Sequence, residues 1–295
     1  MNTIILALPG AEGLAETLAE QLHCAASVVE THRFPDAEVV VRLRTSVQQQ
    51  RVLLVAHLDR PDDKTLALVF AADAARELGA AQVGLVAPYL PYMRQDERFR
   101  PGEAITSRSY ARLLSSTVDF LVTVDPHLHR WPSLDAIYGI PSRVVAAAPA
   151  IAEWLRREVP RPILVGPDSE SEQWVADVAG RMAAPYVVMT KERHGDRDVQ
   201  VRLPQGVAHE GRTPVLLDDI ISSGHTMAAA GHVLRGAGWG RPLCLGVHAL
   251  MDAAALDLLH RAGIERVVSC DTVPHATNAI PMAGLLAEGI RAITA

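Results

Sequence analysis

Short apolar runs alternate with longer amphipathic stretches along most of the chain. In the first half, the runs Thr3–Leu8, Glu38–Arg42, Arg51–Ala56, Val83–Ala87 and Phe120–Val124 predict strands. In the second half, Pro162–Val165, Tyr186–Met189, Pro214–Leu217, Leu243–His248 and Arg266–Cys270 do the same. Between them, apolar positions recur at helical spacing over Leu14–Leu22, Thr65–Leu78, Ser107–Leu114, Ala148–Arg157, Glu172–Ala183, Thr226–Gly236 and Ala253–Ala262. Strands separated by helical patterns of this length make βαβ units, and therefore parallel sheets flanked by helices.

The pattern also repeats itself. VLLVAHLDRPDDKT from Val52 leads through a helix to QVGLVAPYL, and VLLDDIISSGHT from Val215 leads through a helix to LCLGVHAL. Each copy continues through another helix to a strand that ends in an acid and a His: FLVTVDPHLH from Phe120, and RVVSCDTVPH from Arg266. Two copies of one unit predict two similar α/β domains, over residues 1–145 and 146–295, with the boundary in Pro141–Pro149.

Composition narrows the function classes. Of 295 residues, 49 % are apolar and 21 % charged, which excludes a disordered chain. Lys and Arg number 28 against 34 Asp and Glu, a net charge of −6, and aromatics are only 4 %. Neither a basic field nor a base-stacking platform is present, so no nucleic-acid partner is expected. Cys24, Cys244 and Cys270 are far apart and lack CxxC spacing, which argues against disulfides or structural zinc and for a reducing cytoplasm. MNTIILALPG reads as a first strand, and no apolar run approaches the ~18 residues of a membrane span.

The most informative segment is VLLDDIISSGHT. A strand ends in Asp218 and Asp219, a loop of small residues follows, and a helix begins. A loop entering a helix N-terminus presents backbone N–H groups to a phosphate. Ser222, Ser223 and Thr226 add hydroxyls, and Gly224 permits close backbone approach. The paired acids can accept from vicinal sugar hydroxyls or hold Mg²⁺ through water. The plain alternative is a strand end with a capping hydroxyl. TVDPHLHR places His127 and His129 after a strand; by spacing alone the pair is also a zinc candidate, with no obvious third and fourth ligand.

This loop resembles the phosphoribosyl-diphosphate-binding loop of phosphoribosyltransferases and of ribose-phosphate diphosphokinases. The diphosphokinase family has two such domains and keeps the full loop only in the second, as here. RFPDAE, with Phe34, Asp36 and Glu38, is similar to the family's F-x-D-x-E segment, which contacts the ATP base from a neighbouring subunit. PYLPYMRQDE matches a string specific to this family, and the match implies an ATP-binding segment of Arg94, Gln95 and Asp96. His127 matches a D-x-H segment whose His binds the Mg²⁺ accompanying ATP, and Asp168 in VGPDSESEQW matches a metal ligand in the diphosphate loop. TKERHGDRDV carries Lys191 and Arg193 on what the resemblance makes a flexible catalytic loop, with the polar stretch Gly195–Asp198 expected to be mobile. His225 stands where many relatives have Gly, Ser222 where they have Asp, and Ser169-Glu170-Ser171 where they commonly have glycines after the acid.

The resemblance, to the shorter archaeal-type branch, runs from Phe34 to about Thr272. It implies two tandem phosphoribosyltransferase-like α/β domains. It implies transfer of the diphosphoryl group of MgATP to ribose 5-phosphate, with Lys191 and Arg193 catalytic. Ribose 5-phosphate would lie on Asp218, Asp219 and Ser222–Thr226. It also implies a homo-oligomer, at least a dimer. The changed loops leave a regulatory homologue as an alternative, and a plain phosphoribosyltransferase as a lesser one.

Overall fold

The computed structural model describes residues 1–193, 199–204, 206 and 209–295, with the backbone alone at 191–193 and 199–201. The chain divides into one unit of Met1–Ala146 with Ala283–Ala295, and another of Ala147–Met282. The expected second domain, 146–295, includes the last helix, but that helix belongs to the first unit.

In the first unit the elements run β1 (Thr3–Ala7), α1 (Glu12–Leu22), β2 (Ala25–Arg33), β3 (Val39–Leu43), β4 (Arg51–Val55), α2 (Pro61–Glu77), β5 (Gln82–Val86), α3 (Thr106–Thr117), β6 (Phe120–Val124) and β7 (Ser142–Val145). They form a seven-stranded sheet in the order β3-β2-β1-β4-β5-β6-β7, parallel except for the β2–β3 hairpin. The central strands are covered on both faces, and Val52–Val55 have no exposed surface. Continuous apolar runs such as RVLLV suit that position, because a parallel strand buried on both sides has no polar face.

The second unit runs α4 (Ala148–Glu158), β8 (Pro162–Gly166), α5 (Glu172–Met182), β9 (Tyr186–Val188), β10 (Thr190–Arg193), β11 (Val199–Arg202), β12 (Thr213–Ile221), α6 (His225–Gly236), β13 (Leu243–Ala249), α7 (Ala253–Arg261), β14 (Arg266–Cys270) and β15 (Asn278–Ile280). Its six-stranded sheet has the order β15-β14-β13-β12-β8-β9 and is parallel throughout. A separate antiparallel ribbon joins β10 to β11. The final helix, α8 (Ala283–Thr294), packs on α1, β6 and β7.

Each sheet reverses its winding at one point. In the first unit the reversal lies between β1 and β4, and in the second between β8 and β12. Ligands of open α/β sheets bind outside the carboxyl ends of the strands at such a point.

Candidate active site

The switch point of the second unit brings together Asp168, Asp218, Asp219 and Ser222–Thr226. β12 runs through both acids to Ile221 and does not stop before them, pairing Asp218 opposite Gly246. Asp219 is buried, at 4 % exposure, and Asp168, just past the end of β8, is 8 % exposed. The Asp168 carboxylate accepts from the Glu170 N–H at 3.1 Å, and Ser171 Oγ donates to the Asp168 carbonyl at 2.6 Å. Gly166 makes room for this turn, since a Cβ there would stand 2.5 Å from Ser171 Oγ. Burial raises the Asp218 carboxyl well above the usual carboxylate range, and the neighbouring Asp219 and Asp168 carboxylates raise it further. The three carboxylates lie at neighbouring strand ends and offer acceptors to hydroxyl donors, and carboxylate oxygen is the ligand chemistry that Mg²⁺ prefers.

Beyond Ile221, the loop Ser222–Gly224 leads directly into α6. Gly224 has φ +75° and caps the helix, its carbonyl accepting from Ala228 N–H at 2.8 Å. A side chain there would be strained by the left-handed backbone and would press on the Ala255 carbonyl and Leu259. Ser223 and His225 are exposed, while Ser222 and Thr226 are half-buried. The loop and the start of α6 therefore reach solvent at Ser223 and His225, and a helix N-terminus is a setting that suits an anion.

Lys191 and Arg193 lie on β10, two positions apart, opposite Val201 and Val199 of β11. A loop was expected here. The strand follows at once from β9, where Met189 N–H donates to the Gly166 carbonyl at 2.8 Å, so the ribbon leaves the same edge that carries Asp168. The side chains of Lys191 and Arg193, and the expected mobile stretch Gly195–Asp198, lie outside the described residues.

In the first unit, RFPDAE is the turn of the β2–β3 hairpin. Phe34 N–H donates to the Glu38 carbonyl at 2.8 Å, and Glu38 N–H to Asp36 Oδ1 at 3.1 Å. Ala37 completes the turn at φ +71°. Phe34 remains 45 % exposed, its ring edge-on to His32 at 4.7 Å. Such a surface aromatic on a rigid turn is suited to stacking on a flat partner.

The segment after β5 presents Arg94 and Gln95 on the surface and turns Asp96 inward. Asp96 accepts from Arg130 at 3.1 and 3.3 Å, and Arg130 also pairs with Glu97 at 2.9 Å. Its side chain is only 1 % exposed. Asp96 anchors the loop through Arg130. Arg130 was not singled out in the sequence, because its partner lies 34 positions away and no local pattern announces the pair. After β6, His127 and His129 are half-buried with ring centroids 3.9 Å apart.

A two-unit α/β fold with a hydroxyl-rich loop and paired acids at the switch point defines a phosphoribosyltransferase-type protein. Comparison with known proteins agrees: the family model for the phosphoribosyl transferase domain matches residues 133–283, and that for the N-terminal domain of ribose phosphate pyrophosphokinase matches residues 3–117. The chain belongs to the ribose-phosphate pyrophosphokinase (diphosphokinase) family. Curated relatives of that name include one from Methanopyrus kandleri, 34 % identical over 97 % of this chain and 98 % of its own. Another, from Methanothermobacter thermautotrophicus, is 31 % identical over 97 % of this chain and 99 % of its own. The crystal structure of phosphoribosylpyrophosphate synthetase from Mycobacterium smegmatis superposes with a TM-score of 0.84 at 24 % identity, covering 100 % of this chain and 99 % of that one, and shows the same fold.

Proposed function

We propose that the chain is a ribose-phosphate diphosphokinase, and that it transfers the β,γ-diphosphoryl group of MgATP to ribose 5-phosphate. The anomeric hydroxyl oxygen attacks the β-phosphorus, and the bond from that phosphorus to the α,β-bridging oxygen breaks. AMP leaves, and the sugar becomes 5-phosphoribosyl 1-diphosphate. The observation that carries this reading is the Asp218–Thr226 segment at the switch point, with Asp168 beside it.

In this reading Asp218 and Asp219 hold the ribose hydroxyls, and Ser222, Ser223, Gly224, His225 and Thr226 hold the 5-phosphate. Arg94 and Gln95 contact the nucleotide, and Asp96 holds their loop through Arg130. Lys191 and Arg193 neutralise phosphoryl oxygens as they gain charge. His127 and Asp168 are the residues that would each ligate Mg²⁺ brought in with ATP, and the ion would supply charge neutralisation at the phosphates. Phe34, Asp36 and Glu38 meet the base bound by a neighbouring copy, so the active unit is at least a dimer. Among the described residues no helix is long and apolar enough to cross a membrane, and the three cysteines are free thiols, which supports a cytoplasmic setting.

One observation favours a second reading, a weakly active regulatory homologue. The Asp168 carboxylate is engaged by its own loop, and that loop carries Glu170 where a diphosphate would approach. The test is AMP release from ATP and Mg²⁺ with and without ribose 5-phosphate. AMP formed only with the sugar, together with its 1-diphosphate, is expected. ADP in its place would mean γ-phosphoryl transfer and would sink the mechanism, and no product across several divalent ions and phosphate levels would favour the regulatory reading.

A further inference from the structure

The turn that precedes Arg94 is strained, and its restraints are unusually many. Tyr92 has φ +63°, a left-handed backbone that an aromatic side chain rarely adopts. Its carbonyl accepts from Gln95 N–H at 2.9 Å and closes the turn. Its hydroxyl donates to the carboxylate of Asp62, in the first turn of α2. Burial and the Asp62 hydrogen bond push that hydroxyl up to about 12, so it stays a donor throughout the working range.

The ring lies 4.8 Å from that of Tyr110 on α3. Thr65 Oγ1 donates to the Pro61 carbonyl at 2.6 Å, so its only proton is used. The Tyr110 hydroxyl is therefore the donor in its 3.1 Å contact with Thr65 Oγ1. At the far side of the turn, the Gln95 carbonyl accepts from Ser107 Oγ at 3.0 Å and from Ser107 N–H at 3.3 Å. Thr106 Oγ1 reaches Gln95 Oε1 at 3.4 Å. The turn is thus held between the first turns of two helices, and the Tyr92 hydroxyl links it to the α2 acid.

We propose that Tyr92 is a positioning residue for the nucleotide arm Arg94–Gln95, acting through its hydroxyl on Asp62. The proposal rests on the reading of that arm as a nucleotide contact. Strain is retained where the surrounding structure over-determines it, and here the consequence is a fixed direction for the two side chains that follow. A tyrosine that served only packing would need its ring and not its hydroxyl.

Tyr92→Phe keeps the ring and loses the hydrogen bond, and Asp62→Ala removes the acceptor. Each is expected to raise KM for MgATP by roughly 3- to 10-fold, the range of a single hydrogen bond. Turnover should stay within about twofold, KM for ribose 5-phosphate should not move, and the double variant should be no worse than either single one. Amide exchange at Gln95, measured on the whole protein without nucleotide, should accelerate in both variants. Unchanged exchange at Gln95 overturns the proposal whatever the activity, and so does unchanged nucleotide affinity in a variant whose exchange accelerates. If the wild type releases no AMP, the functional reading fails, and ATP affinity by calorimetry replaces KM in the comparison.

Discussion

Asp218 illustrates how one residue is set against the fold it belongs to. Its carboxyl is raised by burial and by Asp219 and Asp168, so the folded state holds its proton more tightly than the unfolded chain does. By linkage, folding stability then falls as pH rises from the unfolded carboxylate value of about 3.9 through the raised folded value. Above that raised value the ionised group works against folding, and in the proposed function it is retained for binding. Asp218→Asn is expected to stabilise the protein by about 0.5–2 kcal/mol, seen as a higher Tm, while raising KM for ribose 5-phosphate. The Tm difference from the wild type should shrink as pH is lowered into the acid range. Gly224→Ala tests the loop in the opposite sense. With φ at +75° and Leu259 in contact, it should lose roughly 1–2 kcal/mol in urea titration as well as sugar-phosphate affinity.

At the scale of elements, two segments expected to act as loops are held in place, one by a partner remote in sequence and one by the next strand. The loop after β5 depends on the Asp96–Arg130 pair, and removing Arg130 leaves a buried carboxylate without its charged donor. Arg130→Ala is expected to cost roughly 1–3 kcal/mol and to weaken nucleotide binding, with Arg130→Lys recovering part of both, as unfolding curves and KM for MgATP will show. The β10–β11 ribbon carries Lys191 and Arg193 on a paired strand. Lys191→Ala should lower kcat by about 10²–10⁴ with the melting curve unchanged. Near-normal turnover would remove Lys191 from the mechanism.

For the whole molecule, the chain's last helix returns to the unit in which the chain began. Leu286 is fully buried and Ile290 nearly so, at 2 %, on α8 against β6 and β7. Burying each is worth about 1.5–3 kcal/mol, so deleting Ala283–Ala295 should unfold the first unit, visible as the loss of a cooperative transition. A shared site would also act at this scale. If the Phe34 turn serves a neighbour, Lys191→Ala and Glu38→Ala chains are each inactive alone. Mixed under subunit exchange, they should recover activity equivalent to about a quarter of the sites of a random dimer. No recovery would confine the hairpin to its own chain.

The alternation of apolar runs and helical patterns determined the α/β class and the parallel sheets, because a strand covered on both faces must be apolar throughout and a helix covered on one face must be periodic. It also brought out Asp218–Thr226 as a candidate site, paired acids at a strand end before a Ser-Ser-Gly loop. β2, β7, β10, β11 and β15 were not legible: β2 buries only Val29 and shows no regular apolar alternation, and the others are only three or four residues long. The helix α8 follows Pro281 with no capping residue and declares itself only by its packing. Tertiary structure alone decided that Asp96 turns inward to Arg130, that Tyr92 takes a left-handed backbone between two helices, and that Asp168 crowds Asp218. Each depends on which strand ends lie side by side, a property of sheet order that local sequence does not encode.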